Sequence, residues 1–115
     1  MKIGVVTVTY NSSLVLEDFF SSIENQDFLD FHLYIIDNNS KDNTLSKINK
    51  WNFSTKTILK NTNNIGVAAA NNQGIKLALK DNCDFLLLLN NDTIFEEKLI
   101  SKLIDAHYKY GSSII

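Results

Sequence analysis

FLLLLNNDTIF, residues 85–95, decides how the rest of the chain is read. The leucines after Phe85 do not alternate with polar residues. A strand built from them is buried on both faces, as in a parallel sheet covered by helices on each side. The run breaks at Asn90, Asn91 and Asp92, and an apolar-periodic segment then begins. Working outward, earlier runs of strand length are IGVVTV (3–8), FHLYIID (31–37) and STKTIL (54–59). Between and after them, apolar residues recur at helical spacing: Leu16, Phe19, Phe20 and Ile23; Leu45, Ile48 and Trp51; Ile75, Ala78 and Leu79; Leu99, Leu103 and Ala106. The order is βαβαβαβα, an α/β fold with a mostly parallel sheet and helices on both faces. In the third run Thr55 and Thr57 alternate with Lys56, which suggests a half-exposed or edge strand. The ending YGSSII (110–115) reads as a helix C-terminal glycine followed by the start of a further strand. Residues 1–115 are thus expected to form one domain, the N-terminal part of a longer fold.

Composition narrows the function. At 115 residues, 44% hydrophobic and 21% charged, the chain suits one soluble globular domain. Its net charge is -2 and all 11 basic side chains are lysines, so no basic stripe for a nucleic-acid backbone is expected. Cys83 is alone, which excludes an intrachain disulfide and a cysteine-built zinc site and makes a reducing, cytoplasmic setting the default. The first run, interrupted by Gly4 and Thr7, is too short for a signal segment or a membrane span.

In a parallel sheet the residues just after each strand share one edge, where open α/β sheets bind ligands. Here those residues are Thr9, Tyr10 and Asn11; Asp37, Asn38 and Asn39; Asn61, Asn63, Asn64 and Gly66; and Asn90, Asn91 and Asp92. Two readings stand side by side. Asn, Asp and Ser are the preferred helix N-caps, so each cluster could serve turn chemistry alone. Yet Thr93 and Glu96 match a capping box, and Ser40 with Asp42 in a first helical turn would cap the second helix, which leaves Asn90, Asn91, Asp92, Asp37 and Asn38 surplus. A carboxylate among amides, with no His or Cys nearby, suits Mg²⁺ or Mn²⁺ sharing ligands with a diphosphate, and suits zinc poorly. Asp37 and its amide neighbours could hydrogen-bond the edge of a base, with Tyr10 against its face. TYNSS (9–13) is not a glycine-rich dinucleotide turn.

VVTVTYNSS (5–13), YIIDNNSKDNT (34–44), NTNNIGVAAANNQGI (61–75) and FLLLLNNDTIF, in this order and spacing, resemble the family 2 glycosyltransferases, bacterial rhamnosyltransferase-like members in particular. The resemblance runs over essentially the whole chain. It implies the Rossmann-like, nucleotide-sugar-binding half of a GT-A fold and inverting transfer of a sugar from a nucleotide diphosphate donor to a hydroxyl. By the same resemblance Thr9 and Tyr10 line the base pocket, Asp37 binds the base, and Asn39 and Asp42 belong to one loop. Asn64 and Gly66 run near the nucleotide, Asn71 and Asn72 face the nucleotide sugar, and Asn11 and Asn91 complete the nucleotide-binding set. FLLLLNNDTIF is the DxD-type segment, with Asp92 as metal ligand and Asn90 as a neutral second ligand. The implied cofactor is Mg²⁺ or Mn²⁺, and the donor a UDP-, dTDP- or GDP-sugar. Many relatives have an aspartate where this chain has Asn90, and an arginine where it has Asn71. The general base and the site for a glycan or lipid-linked glycan acceptor lie, in the family, in a C-terminal half outside these residues. The chain alone is therefore expected to bind donor and metal and to transfer sugar poorly or not at all.

The resemblance also implies bacterial surface polysaccharide synthesis in the cytoplasm, at the inner face of the membrane. The competing expectation is a non-catalytic nucleotide-binding or assembly module that forms a homo-oligomer through an open sheet edge. A nucleotidyltransferase is a weaker third reading, because a basic glycine-rich loop after the first strand is lacking. His32, His107 and Trp51 read as structural, Phe19, Phe20 and Phe95 as core, Cys83 as inert, and Asp81 and Asp84 as solvent-facing.

Overall fold

The computed structural model describes residues 2–110. Strands and helices alternate as β1 (Ile3–Thr9), α1 (Leu16–Glu24), β2 (Phe31–Asp37), α2 (Thr44–Lys50), β3 (Lys56–Lys60), α3 (Val67–Lys80), β4 (Phe85–Leu88) and α4 (Leu99–Tyr110). The strands form one parallel sheet in the order β3-β2-β1-β4. The expected further strand falls on residues 111–115, outside the described residues.

The order follows from connection handedness. Right-handed crossovers from β1 to β2 and from β2 to β3 step the same way, so α1 and α2 cover the same face. The crossover from β3 to β4 steps back past β1, which sends α3 to the opposite face. The burial pattern agrees. Ile3, Val5, Leu33, Ile35 and Leu87 pack with Leu16, Phe19, Ile23, Ile48 and Ile100 from α1, α2 and α4. The alternate residues Val6 and Tyr34 pack with Ala78 of α3 and with Cys83. Near-continuous apolar strands were the signal for this double cover, and β2 is buried at every position except His32. β3 is the half-exposed edge strand, as its Thr–Lys alternation implied.

Trp51 caps the C-terminus of α2 and lies between Phe20 and Phe53, with ring centroids at 4.1 and 4.9 Å. Its packing role is as expected, and its indole N–H donates to the Glu24 carboxylate.

Several local expectations are corrected. α4 starts at Leu99, so Thr93 and Glu96 do not cap it; the Thr93 hydroxyl donates to the Asn90 carbonyl (2.8 Å), and Glu96 pairs with Lys102 (2.6 Å). α2 starts at Thr44, so Ser40 lies outside it and serves Asp37 instead. α3 turns Ala70, Gly74 and Ala78 inward and leaves Leu79 exposed. In α4 the inward residues are Ile100, Leu103 and Ile104, while Ala106 faces out. Asp81 and Asp84 are not merely solvated: Asp81 accepts the hydroxyl proton of buried Tyr34 (2.7 Å), and Asp84 accepts the Lys2 backbone N–H (2.8 Å). Burial, then the bonds to Asp81 and Cys83, push the Tyr34 phenol above its ordinary range.

Candidate functional site

β1 lies between β2 and β4, and the strand order reverses at β1, with β2 and β3 following on one side and β4 added on the other. Such a switch point opens a crevice at the C-terminal ends of the strands. The crevice here has a volume of about 530 Å³, with Tyr10, Asn11 and Ser12 on the β1 side and Asn90, Asn91 and Asp92 on the β4 side. Tyr10 is 49% exposed, so its ring face is available to a ligand. Asn90 and Asp92 are exposed, whereas Asn91 between them is buried.

Beneath this mouth the β1–β2 register ends on Thr9 beside Asp37. Asp37 is fully enclosed, and its carboxylate accepts the hydroxyls of Thr9 (2.7 Å) and Ser40 (2.6 Å) and the backbone N–H of Ser40 (2.9 Å). Among the described residues Asp37 forms no ion pair, so this buried carboxylate depends on such donors, because unpaired it would be costly to desolvate. The Ser40 hydroxyl in turn accepts the Asn11 N–H (2.9 Å), and the Asn11 side chain accepts the Lys41 N–H (2.8 Å). Asn11 and Asn39 both take positive φ, 47° and 65°, which asparagine tolerates better than most residues.

The next link in the loop is Asp42. It accepts the hydroxyl and N–H of Thr44 and the N–H of Ser13 (3.2 Å), while Thr44 accepts the N–H of Ser12 (2.8 Å). Desolvation pushes the Asp42 carboxyl up, but the bonds from Thr44 and Ser13 outweigh it and hold the group at about 2. The β1 and β2 ends are thus laced into one rigid rim.

A second network fixes the loop after β3. Buried Asn38 donates to the Gly66 carbonyl (3.1 Å) and accepts from the Asn61 amide (3.0 Å), and Asn61 exchanges two bonds with Gln73 of α3. The Asn64 side chain accepts the Gly66 N–H (2.9 Å), and Gly66 sits at φ 87°, ψ 162°, a conformation open essentially to glycine alone. Asn71 and Asn72 lie on the second turn of α3, half-buried and exposed respectively.

The structure therefore brings Tyr10, Asn11, Asn90, Asn91 and Asp92 to one cleft and sets Thr9 and Asp37 below it. Asn39 lies on the adjoining rim, and Asn64 and Gly66 belong to a neighbouring loop. Ser40, Thr44, Asn61 and Gln73 complete the scaffold without having stood out in the sequence. Ser40 has a local signal, three residues after Asp37 where a hydroxyl returns to a carboxylate; the Asn61–Gln73 pair has none.

Residues 4–115 match the pattern of the family described as Glycosyl transferase family 2. The chain belongs to that family. It is 31% identical over 118 residues to a dolichol-phosphate mannosyltransferase of Pyrococcus furiosus, an alignment covering 99% of this chain and 32% of the relative. Among solved structures, S. aureus TarS 1–349 in complex with UDP-GlcNAc matches at TM-score 0.86 and 24% identity, over 97% of this chain and 32% of that one. The mannosyltransferase PcManGT from Pyrobaculum calidifontis, in complex with GDP-Man and Mn²⁺, matches at 0.83 and 20%, over 91% and 32%. These likenesses show the GT-A fold for this family 2 chain, which spans about a third of the length of each relative.

The donor set of the family 2 chain can be tested against a cation. At the mouth it offers the Asp92 carboxylate and the Asn90 amide oxygen, both exposed. Among the described residues no three His, Cys, Asp or Glu side chains gather to hold a metal. One carboxylate and one amide suit a hard ion that takes its other ligands from water and a diphosphate. They do not suit a structural zinc.

Proposed function

We propose that this chain is the donor-binding domain of a glycosyltransferase that moves a sugar from a nucleotide diphosphate to a hydroxyl with inversion. The observation that carries the proposal is the cleft at the β1–β4 switch point, where an exposed aromatic ring and an exposed carboxylate face one another across a single crevice. Tyr10 takes the face of the base. Asp37 takes an N–H of its edge, for which Ser40 must give up a contact, since every approach to the carboxylate is now closed. Asp92, with Asn90, holds Mg²⁺ or Mn²⁺ beside the diphosphate, where the ion offsets the charge developing on the leaving group. Asn64, Gly66, Asn71 and Asn72 border the sugar side. The acceptor, a glycan or lipid-linked glycan, and the base that takes its proton are assigned to the part of the relatives that this chain does not span. We place the activity in the cytoplasm, at the membrane's inner face; the unpaired thiol of Cys83 suits a reducing compartment. Among the described residues no helix is long and apolar enough to cross a membrane.

The test is calorimetric titration with UDP, dTDP and GDP, each with and without Mn²⁺. One nucleotide is expected to bind, and Mn²⁺ to tighten it. Asp92→Ala should remove the metal-dependent part, about 10-fold or more in affinity, while the circular dichroism spectrum stays unchanged. Equal affinity in the variant, with Mn²⁺ present, would refute the role of Asp92.

A second reading rests on β4. Among the described residues it is an edge strand, and Leu88 at its end is 45% exposed. An apolar, unguarded edge of this kind is a template for pairing, so a homo-oligomer can form through it.

A further inference from the structure

Asn91 is buried, at 8% exposure, between two exposed residues of the cleft. Its side-chain amide donates to the Val8 carbonyl (2.5 Å) and to the Thr7 hydroxyl (3.2 Å), both on β1. The ladder between β1 and β4 explains why these atoms are the partners. The last paired residues are Val6 and Leu88, and the Leu89 N–H donates to the Val6 carbonyl (2.9 Å). Bonds in a parallel ladder recur every second residue, so the next would run from the backbone N–H of residue 91 to the Val8 carbonyl. By then the chain has turned, with residues 91 and 92 in a turn. The Asn91 side chain makes this rung in place of the backbone. The far side of the turn is closed by Thr93, whose hydroxyl donates to the Asn90 carbonyl (2.8 Å).

The resemblance sets Asn91 among the nucleotide-binding residues. We propose that it is instead a positioning residue: its amide replaces the last rung of the β1–β4 ladder and so fixes Asn90 and Asp92 toward the cleft, without itself touching nucleotide or metal. This rests on the donor and metal reading of the cleft given above. The chemistry at position 91 is specific. The role requires a donor, because both partners on β1 are oxygens and the Val8 carbonyl can only accept. An aspartate has nearly the same shape but at neutral pH only acceptors, and its carboxylate would face the Val8 carbonyl. A second carboxylate in the segment would therefore weaken metal binding, whereas a ligand role for residue 91 would have it strengthened.

The experiment compares wild type, Asn91→Asp and Asn91→Ala in three measurements: nucleotide affinity without metal, Mn²⁺ affinity of the nucleotide-bound protein, and solvent exchange of the Asn91 side-chain amide in wild type. Both variants are expected to lose about 10- to 100-fold in Mn²⁺ affinity, the range for groups that orient metal ligands, and to keep metal-free nucleotide affinity within about twofold. The wild-type amide protons should exchange slowly in the free protein and stay protected when nucleotide and Mg²⁺ are added. Equal or tighter Mn²⁺ binding by Asn91→Asp overturns the proposal, because the carboxylate is then a ligand. A matching loss of metal-free affinity also overturns it, because Asn91 then contacts nucleotide. If the variants do not fold, the wild-type amide decides: fast exchange overturns the rung, and slow exchange unaffected by ligand supports it. Wild-type protein that binds no nucleotide overturns the reading of the cleft itself, and this inference with it.

Discussion

Asp42 shows how a single carboxylate stiffens the rim of the cleft. It is solvent-exposed, yet Thr44 and Ser13 hold it at about 2 against the push of desolvation. An unfolded aspartate titrates near about 4, so the folded-state value is depressed. A depressed carboxyl contributes stability that is fully present above the unfolded value and is lost as the pH falls through the folded one. The window is therefore from about pH 4 down to about 2. Asp42→Asn should be less stable than wild type in urea at pH 6, and the gap should close as the pH approaches 2, where wild type loses its charge as well. A gap that stays constant with pH would mean that the neutral geometry of the turn, not the charge, carries the effect. This residue also marks a limit of local pattern. Ser40 and Asp42 match a helix start, but Ser40 turns back to Asp37 and holds the Asn11 N–H, Asp42 reaches across to Ser13, and α2 begins only at Thr44.

At the scale of elements, α3 approaches the sheet through its smallest residues. Ala70, Gly74 and Ala78 recur every four positions and face β1 and β2. A methyl group on Gly74 would lie 2.3 Å from Val6 Cγ1. Gly74→Ala should gain about 1 kcal/mol in helix propensity. It should lose more to overpacking, which costs about 1–3 kcal/mol and sometimes more. The expected outcome is a lower midpoint in chemical denaturation, partly restored when Val6→Ala is added. A stabilised single variant would show that α3 can slide off β1. The same crowding explains why helical periodicity misplaces the buried face. Large apolar residues mark it in α1, where Leu16, Phe19 and Ile23 are all buried, but in α3 the contact surface is glycine and alanine, and Leu79 is left outside. A hydrophobic pattern reports where large side chains are, and a close helix–sheet crossing excludes them.

For the whole molecule, the element order, the parallel sheet and the double helix cover were legible because unalternating runs read as strands buried on both faces. The strand order β3-β2-β1-β4 came only with the structure, where connection handedness accounts for it. The cleft was legible as a collection of strand ends. What could not be read was depth: the sequence sets Asp37 and Asp92 at equivalent strand ends, but one is enclosed by Thr9 and Ser40 and the other is exposed. The two sheet edges differ in the same way. β3 carries Lys56 and Lys60, and charged side chains on an edge oppose pairing with another strand. β4 is FLLL without a charge, and Leu88 is exposed at its end. Any association of the 115-residue chain should therefore run through β4. Leu88→Lys would place a charge on that edge without disturbing the cluster of Ile3, Val5 and Leu87 on the other face of the sheet. Sedimentation velocity over a range of concentrations should show wild type forming dimers or larger species and Leu88→Lys remaining monomeric, with unchanged circular dichroism. If wild type is itself monomeric at all concentrations, the edge does not drive assembly and the reading of an assembly module falls. If both proteins associate equally, another surface carries the contact, and β4 is not the interface.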